Sequence, residues 1–292
     1  MAQPTAKFHD GNEMSLFGLG TYKIVEQGYV DNAIDAALGA GYRMFDTAKF
    51  YHNEKQIGEA LKKFLPKYNL KRSDVFIITK LWPELEDNFN KTVKGVEESL
   101  INLQTDYVDL ILIHYPKSNE RPDEDKEANQ QARKDIWLAL EQAKSKKQVR
   151  SIGVSNFEPH HILELKNYSS EVPVLNQVEF HPHFTRQNIR DFCKEHNIVF
   201  QAYSALARQN EVLVNEPILK NIAKKHNVSV SVVLLSFLVT QGYSVVAKSA
   251  TKSRILENFT ATKVKLTPDE IEEIYTLNKD QPYIRGTPWN VQ

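Results

Sequence analysis

The chain has one cysteine, Cys193, in 292 residues, so no disulfide can form within it. A chain of this size without disulfides suits a reducing compartment, and a cytoplasmic location is expected. Cys193 lies in the amphipathic stretch 189–196 and reads as a small buried apolar residue rather than a nucleophile. An excess of charge of one sign is missing too. Lys+Arg and Asp+Glu each number 37, giving a net charge of zero, which argues against a dedicated nucleic-acid binder or a polybasic membrane anchor. No apolar run approaches the roughly 18 residues of a membrane span. Residues 1–10 lack the apolar core of a signal peptide, so the sequon-like triplets at Asn167, Asn227 and Asn258 read as chance matches.

Several nucleotide and metal motifs are also absent. Phe17-Gly18-Leu19-Gly20 supplies G-x-G, but Lys23 stands where the third glycine of the dinucleotide fingerprint belongs. A Rossmann domain is therefore not expected. There is no Walker loop, no H-E-x-x-H and no cysteine cluster. His181-Pro182-His183 has the look of a metal pair without a third ligand nearby, so no metal is expected and a structural role is.

What is present is alternation. Short apolar runs at 16–21, 42–45, 75–80, 108–114, 151–155, 174–179, 199–203 and 243–247 read as buried strands. Amphipathic stretches at 30–40, 54–64, 89–103, 135–146, 160–166 and 188–196 read as the helices between them. A longer helical region, 218–240, precedes the last strand, and 253–260 follows it. Thr267-Pro268-Asp269-Glu270 is a capping box that starts an extra C-terminal helix. Gly41 sits where a helix-ending glycine turns left-handed, and His9-Asp10-Gly11-Asn12 reads as the turn of an N-terminal hairpin. Strand–helix repetition implies a parallel sheet, and eight strands in roughly 250 residues point to a closed (β/α)₈ barrel rather than an open sheet. One barrel domain over 1–292 is expected, with 118–134 as a charged, solvated excursion.

In such a barrel the C-terminal strand ends converge on one face. Asp46, Lys80 and His114 each follow an apolar run, and Tyr51 lies on the loop after Asp46. Any one of them alone reads as a solvated strand-end residue. A carboxylate, a phenol, an ammonium and an imidazole on adjacent strands, about 4.8 Å apart, form a candidate proton-transfer site.

These residues carry a resemblance. Phe45-Asp46-Thr47-Ala48-Lys49-Phe50-Tyr51-His52-Asn53-Glu54, Ile78-Thr79-Lys80-Leu81-Trp82-Pro83 and Asp109-Leu110-Ile111-Leu112-Ile113-His114-Tyr115-Pro116 resemble the signatures of the aldo-keto reductases. The likeness continues through Gly153-Val154-Ser155-Asn156-Phe157, Asn176-Gln177-Val178-Glu179-Phe180-His181-Pro182 and Ala202-Tyr203-Ser204. It ends with Lys248-Ser249-Ala250-Thr251-Lys252-Ser253-Arg254-Ile255-Leu256-Glu257-Asn258 and covers nearly the whole chain.

The resemblance implies an NADPH-dependent reductase of small aldehydes and ketones, with Asp46, Tyr51, Lys80 and His114 as its catalytic tetrad. The chemistry agrees: a phenol of ordinary pKa about 10 becomes a better acid beside an ammonium. Asp46 would hold Lys80, and His114 would orient and polarise the carbonyl. By the same resemblance Ser155, Asn156 and Gln177 bind the nicotinamide carboxamide and Tyr203 stacks on its ring. Gly20, Thr21, Tyr22, Ser204 and Leu206 are further implied contacts of the NADPH (NADP+) site. Lys248, Ser249 and Arg254 take the 2′-phosphate, which a guanidinium suits, and Glu257 and Asn258 lie near the adenine. Tyr22, Phe50, Trp82, His114 and Tyr115 are the implied substrate pocket.

The chain departs from the family pattern at Tyr22 and Tyr115, where tryptophan is usual. It departs also at His52 (usually Gly), Ala205 and Ala247 (usually Pro). The pocket should be slightly more polar, and no substrate preference transfers. The short segment 205–216 suggests rapid cofactor exchange. The tail, Arg285-Gly286-Thr287-Pro288-Trp289, either reaches over the substrate mouth with Trp289 as a wall or packs on the barrel side. A monomer is expected, with no nucleic-acid or membrane partner. A cofactor-binding barrel with little turnover and an abundant structural protein stay open as other readings.

Overall fold

Parallel strands rich in apolar residues are stable where helices cover the sheet on its outer face and the barrel interior covers the other. The computed structural model, which describes residues 3–284 and 290–292, uses them this way. An antiparallel hairpin, β1 (Thr5–Lys7) and β2 (Glu13–Ser15), comes first. Eight parallel strands follow: β3 (Phe17–Gly20), β4 (Met44–Asp46), β5 (Phe76–Leu81), β6 (Val108–Ile113), β7 (Val149–Ser155), β8 (Leu175–Glu179), β9 (Val199–Tyr203) and β10 (Ser244–Lys248). They close in the order β10-β3-β4-β5-β6-β7-β8-β9, the (β/α)₈ barrel the alternation implied. All six residues of β6 are buried, and each fully buried aliphatic side chain contributes roughly 1.5–3 kcal/mol.

Along each strand every second side chain points into the barrel. Met44, Phe76, Ile78, Leu110, Leu112, Leu175 and Val246 fill the interior, and Phe8 and Met14 of the hairpin pack beneath them. Gly153 makes room for this filling. A Cβ there would lie 2.7 Å from the Leu175 carbonyl oxygen and 2.8 Å from Leu112 Cδ2. The hairpin thus closes the N-terminal end of the barrel and leaves the C-terminal strand ends open.

Between the strands run α1 (Gln27–Ala40), α2 (Glu54–Phe64), α3 (Asn88–Leu103), α4 (Lys126–Ser145), α5 (Pro159–Leu165) and α6 (Gln187–Glu195). Then come α7 (Glu211–Val214), α8 (Pro217–His226), α9 (Val230–Val239), α10 (Lys252–Phe259) and α11 (Pro268–Tyr275). Gly41 ends α1 at φ 107°, and the Thr267–Glu270 capping box starts α11, both as the sequence implied.

Two expectations are corrected, and one segment gains detail. The region 218–240 is two helices bent by 87°, because Asn227 adopts the left-handed conformation (φ 54°) and Ser229 caps α9 through the Val232 N–H. Helix α4 begins at Lys126, inside the excursion expected to be solvated. Its buried stripe there, Asn129, Ala132 and Arg133, is hidden by polar composition. The Arg133 guanidinium is buried against Glu164 at 2.6 Å. The segment 205–216 holds the short helix α7, started by an Asn210 side-chain cap. No single helix among the described residues is long and apolar enough to cross a membrane. Helix α9, apolar all round, is buried from Val232 to Val239 as a core helix.

Candidate active site

The strand register brings the polar residues together. Asp46 is the last residue of β4, Lys80 is the fifth residue of β5, and His114 directly follows β6. Tyr51 ends a one-turn 3₁₀ helix, Lys49–Tyr51, after β4. The Lys80 ammonium lies 2.8 Å from Asp46 Oδ1, 2.8 Å from the Thr47 carbonyl oxygen and 3.5 Å from Tyr51 Oη. Burial pushes the Lys80 pKa down, and the Asp46 charge and hydrogen bond oppose that shift. The His114 ring meets the Tyr51 ring edge-on at 5.7 Å and lies 4.5 Å from Trp82. Its carbonyl oxygen accepts from Asn156 Nδ2 at 3.0 Å.

The next strands supply amides and hydroxyls on the same face. Ser155 Oγ donates to the Gln177 carbonyl oxygen at 2.8 Å, and Tyr203 Oη donates to Asn156 Oδ1 at 2.7 Å. Gln177 Nε2 donates to Asp46 Oδ2 at 2.8 Å and to Gln201 Oε1 at 2.6 Å. A cavity of about 1090 Å³ opens over these groups. It runs on to Lys248 and Ser249 at the end of β10 and to Arg254, Glu257 and Asn258 of α10. Burial lowers the Lys248 pKa, and the positive charges of Lys23 and Arg254 lower it further. None of these three cations is neutralised by an ion pair among the described residues.

Most of the residues expected at the site line this cavity: Asp46, Tyr51 and His114; Gly20, Tyr22, Ser155, Asn156, Gln177, Tyr203, Ser204 and Leu206; Lys248, Ser249, Arg254, Glu257 and Asn258; and Phe50. Lys80 lies beneath the cavity floor and reaches it through Tyr51. Thr21, Trp82 and Tyr115 are not among the lining residues. The Thr21 hydroxyl is bonded to the Asp46 carbonyl oxygen at 2.9 Å. The Trp82 indole N–H is held by the Lys117 carbonyl oxygen at 3.0 Å, with Tyr115 stacked on its ring at 5.7 Å. Residues 285–289, including Trp289, lie outside the described residues, so neither expectation for the tail is addressed.

The structure adds residues that the sequence did not single out for this site. Lys23, Arg208 and Gln209 line the cavity, as do Asn119 from the excursion and Ile284 from the tail. Asn53 is fully buried and ties two loops together. It accepts from Thr47 Oγ1 at 2.6 Å and donates to the carbonyl oxygens of Thr21 (2.9 Å) and Ile24 (2.8 Å). His181 and His183 pack against the tail at Tyr283. Glu179 Oε1 binds both His181 Nε2 at 3.1 Å and the Tyr283 N–H at 2.6 Å, and His183 lies 2.6 Å from Tyr283 Oη.

The aldo/keto reductase family profile matches residues 16–279. The chain is 39% identical to a glyoxal reductase from Bacillus subtilis, covering 95% of this chain and 94% of that protein. It is 37% identical to a 9,11-endoperoxide prostaglandin H2 reductase from Trypanosoma cruzi, covering 97% and 94%. Among solved structures, a Bombyx mori aldo-keto reductase in complex with NADP superposes with a TM-score of 0.88 at 30% identity, covering 99% of this chain and 97% of that one.

Proposed function

The chain belongs to the aldo/keto reductase family, and from that premise we propose that it reduces aldehydes and ketones to alcohols with NADPH, Tyr51 acting as the acid. One observation carries the reading: a buried Asp46–Lys80 pair beneath a tyrosine hydroxyl opens into the same cavity as three unpaired cations. The donor set suits the cofactor. Lys248, Lys23 and Arg254 would hold its phosphates, and Gln177, Asn156 and Ser155 its carboxamide.

Bound NADPH supplies the hydride to the carbonyl carbon. The protein's part is the proton and the placement. Tyr51 gives its phenolic proton to the carbonyl oxygen as negative charge develops there, a step worth roughly 10²–10⁴-fold. The Lys80 ammonium stabilises the phenolate left behind, and Asp46 keeps Lys80 charged in its buried place. His114, packed between Tyr51 and Trp82, orients the carbonyl. Tyr22 and Phe50 wall the approach and present aromatic faces to a neutral substrate.

The same reading places the protein in the cytoplasm, in line with its one buried cysteine, and as a monomer acting on small molecules. The likeness to a glyoxal reductase puts small dicarbonyls in the first test panel. That test is loss of NADPH absorbance with aldehydes, dicarbonyls, ketones, quinones and sugars. Turnover on any of these supports the reading. Tight NADPH binding with no turnover on any of them would make the protein a cofactor-binding barrel instead.

A further inference from the structure

Four polar side chains form an in-register ladder across the far wall of the barrel. Ser155 on β7 pairs with Gln177 on β8, Gln177 with Gln201 on β9, and Gln201 with Ser244 on β10. All four are buried. Ser155 and Gln177 line the cavity, but Gln201 and Ser244 do not.

The hydrogen-bond polarity of this ladder is set from one end. Asp46, held against Lys80, can only accept, so the Gln177 atom 2.8 Å from Asp46 Oδ2 must be the amide nitrogen. Its second N–H goes to Gln201 Oε1 at 2.6 Å. That fixes the Gln201 amide in turn, with Nε2 donating to Ser244 Oγ at 2.8 Å and approaching Met44 Sδ at 3.7 Å. Both Gln177 N–H groups are therefore committed inside the protein. What Gln177 can offer a ligand is its carbonyl oxygen, an acceptor.

We propose that Gln201 is a positioning residue that locks the Gln177 amide with its oxygen free, so that the site selects a nicotinamide bearing a carboxamide N–H. The proposal rests on the reading of this cavity as an NADPH site. Gln201 touches neither cofactor nor substrate and acts only through Gln177. Without its oxygen, one Gln177 N–H loses its partner in a dry interior, and the side chain, still bonded to Asp46 through the other N–H, can swing to present the freed N–H to the cavity. The ladder also joins the carboxamide end of the site to the carboxylate that holds Lys80, through one side chain.

The test uses the 3-acetylpyridine analogue of NADP, which carries a methyl ketone in place of the carboxamide and so has no N–H to give. Affinities for NADP, the analogue and adenosine 2′,5′-bisphosphate are measured by protein fluorescence. One lost hydrogen bond predicts that the native protein binds NADP about three- to tenfold more tightly than the analogue. Gln201→Met keeps the side-chain volume and removes its acceptor. It should bring that ratio to within about twofold of one while leaving the bisphosphate affinity unchanged. Gln201→Glu keeps an acceptor facing Gln177 and should preserve the native ratio, and it decides the matter if the methionine variant does not fold. A native ratio retained in Gln201→Met, or a ratio of one in Gln201→Glu, overturns the proposal. A native protein that binds NADP and the analogue equally also overturns it, yet leaves the reductase reading standing. A native protein that binds none of the three fails the reading itself.

Discussion

The Lys80 ammonium sits between the two carboxylate oxygens of Asp46, 2.8 Å from Oδ1 and 2.7 Å from Oδ2, with almost no solvent reaching either side chain. Burial lowers the Lys80 pKa, and the Asp46 charge offsets only part of that shift. The ammonium is the charged form, so a lowered pKa means it is lost as pH rises. Asp46→Asn removes the opposing charge and moves that loss to lower pH. The alkaline limb of the kcat/KM profile should shift down by about one unit or more. A limb unmoved in the variant would contradict the role given to Asp46.

Lys80→Met leaves the Asp46 carboxylate buried without its counter-charge. Removing one member of a buried pair costs about 3–5 kcal/mol, and urea unfolding should show a loss of that order. Turnover should fall with it. A variant of native stability would mean that Asp46 becomes neutral or solvated at little cost.

At the other end of the cavity, Arg254 and Lys248 share a lobe with no carboxylate partner among the described residues. Arg254→Ala should weaken NADPH by about tenfold or more and NADH far less, because only NADPH carries the 2′-phosphate. Dissociation constants from fluorescence titration check this. Equal weakening of both cofactors would remove the phosphate from Arg254.

Much of this site was legible before the structure. Asp46, Lys80 and His114 stand at the ends of β-branched runs, and barrel closure then decides where they meet. Gln201 was equally open to inspection: it is polar in an apolar strand and two residues before Tyr203, hence on the same inward face. Lys23, Arg208 and Asn119 carried no such signal, because loop residues have no periodicity to place them. The start of α4 was hidden for a different reason. Its buried face there is Asn129, Ala132 and Arg133, and burial of an arginine is recognisable only once Glu164 is found beside it.

The capping box of α11 offers a test of stability apart from the site. Burial pushes the Glu270 carboxyl up, but bonds from Lys225, the Thr267 backbone N–H and His226 outweigh it and hold the pKa at about 2. The folded pKa is below the unfolded value of 4.5, so the stabilisation is present above that pH and is lost as pH falls toward 2. Lys225 is well exposed, so the contribution is discounted for solvent to about 1–2 kcal/mol. Glu270→Gln should lower stability at neutral pH by about that much and flatten the acid loss between those limits. Thermal melts across the range would show it, and an unchanged acid profile would contradict it.

The central claim is that Tyr51 supplies the proton. NADPH oxidation by the native protein and by Tyr51→Phe, compared on the best carbonyl compound of the panel, tests it most directly. The account predicts at least about a hundredfold loss of turnover in Tyr51→Phe, with the NADPH dissociation constant within about twofold of native. Turnover within about threefold of native would mean that the acid is another group.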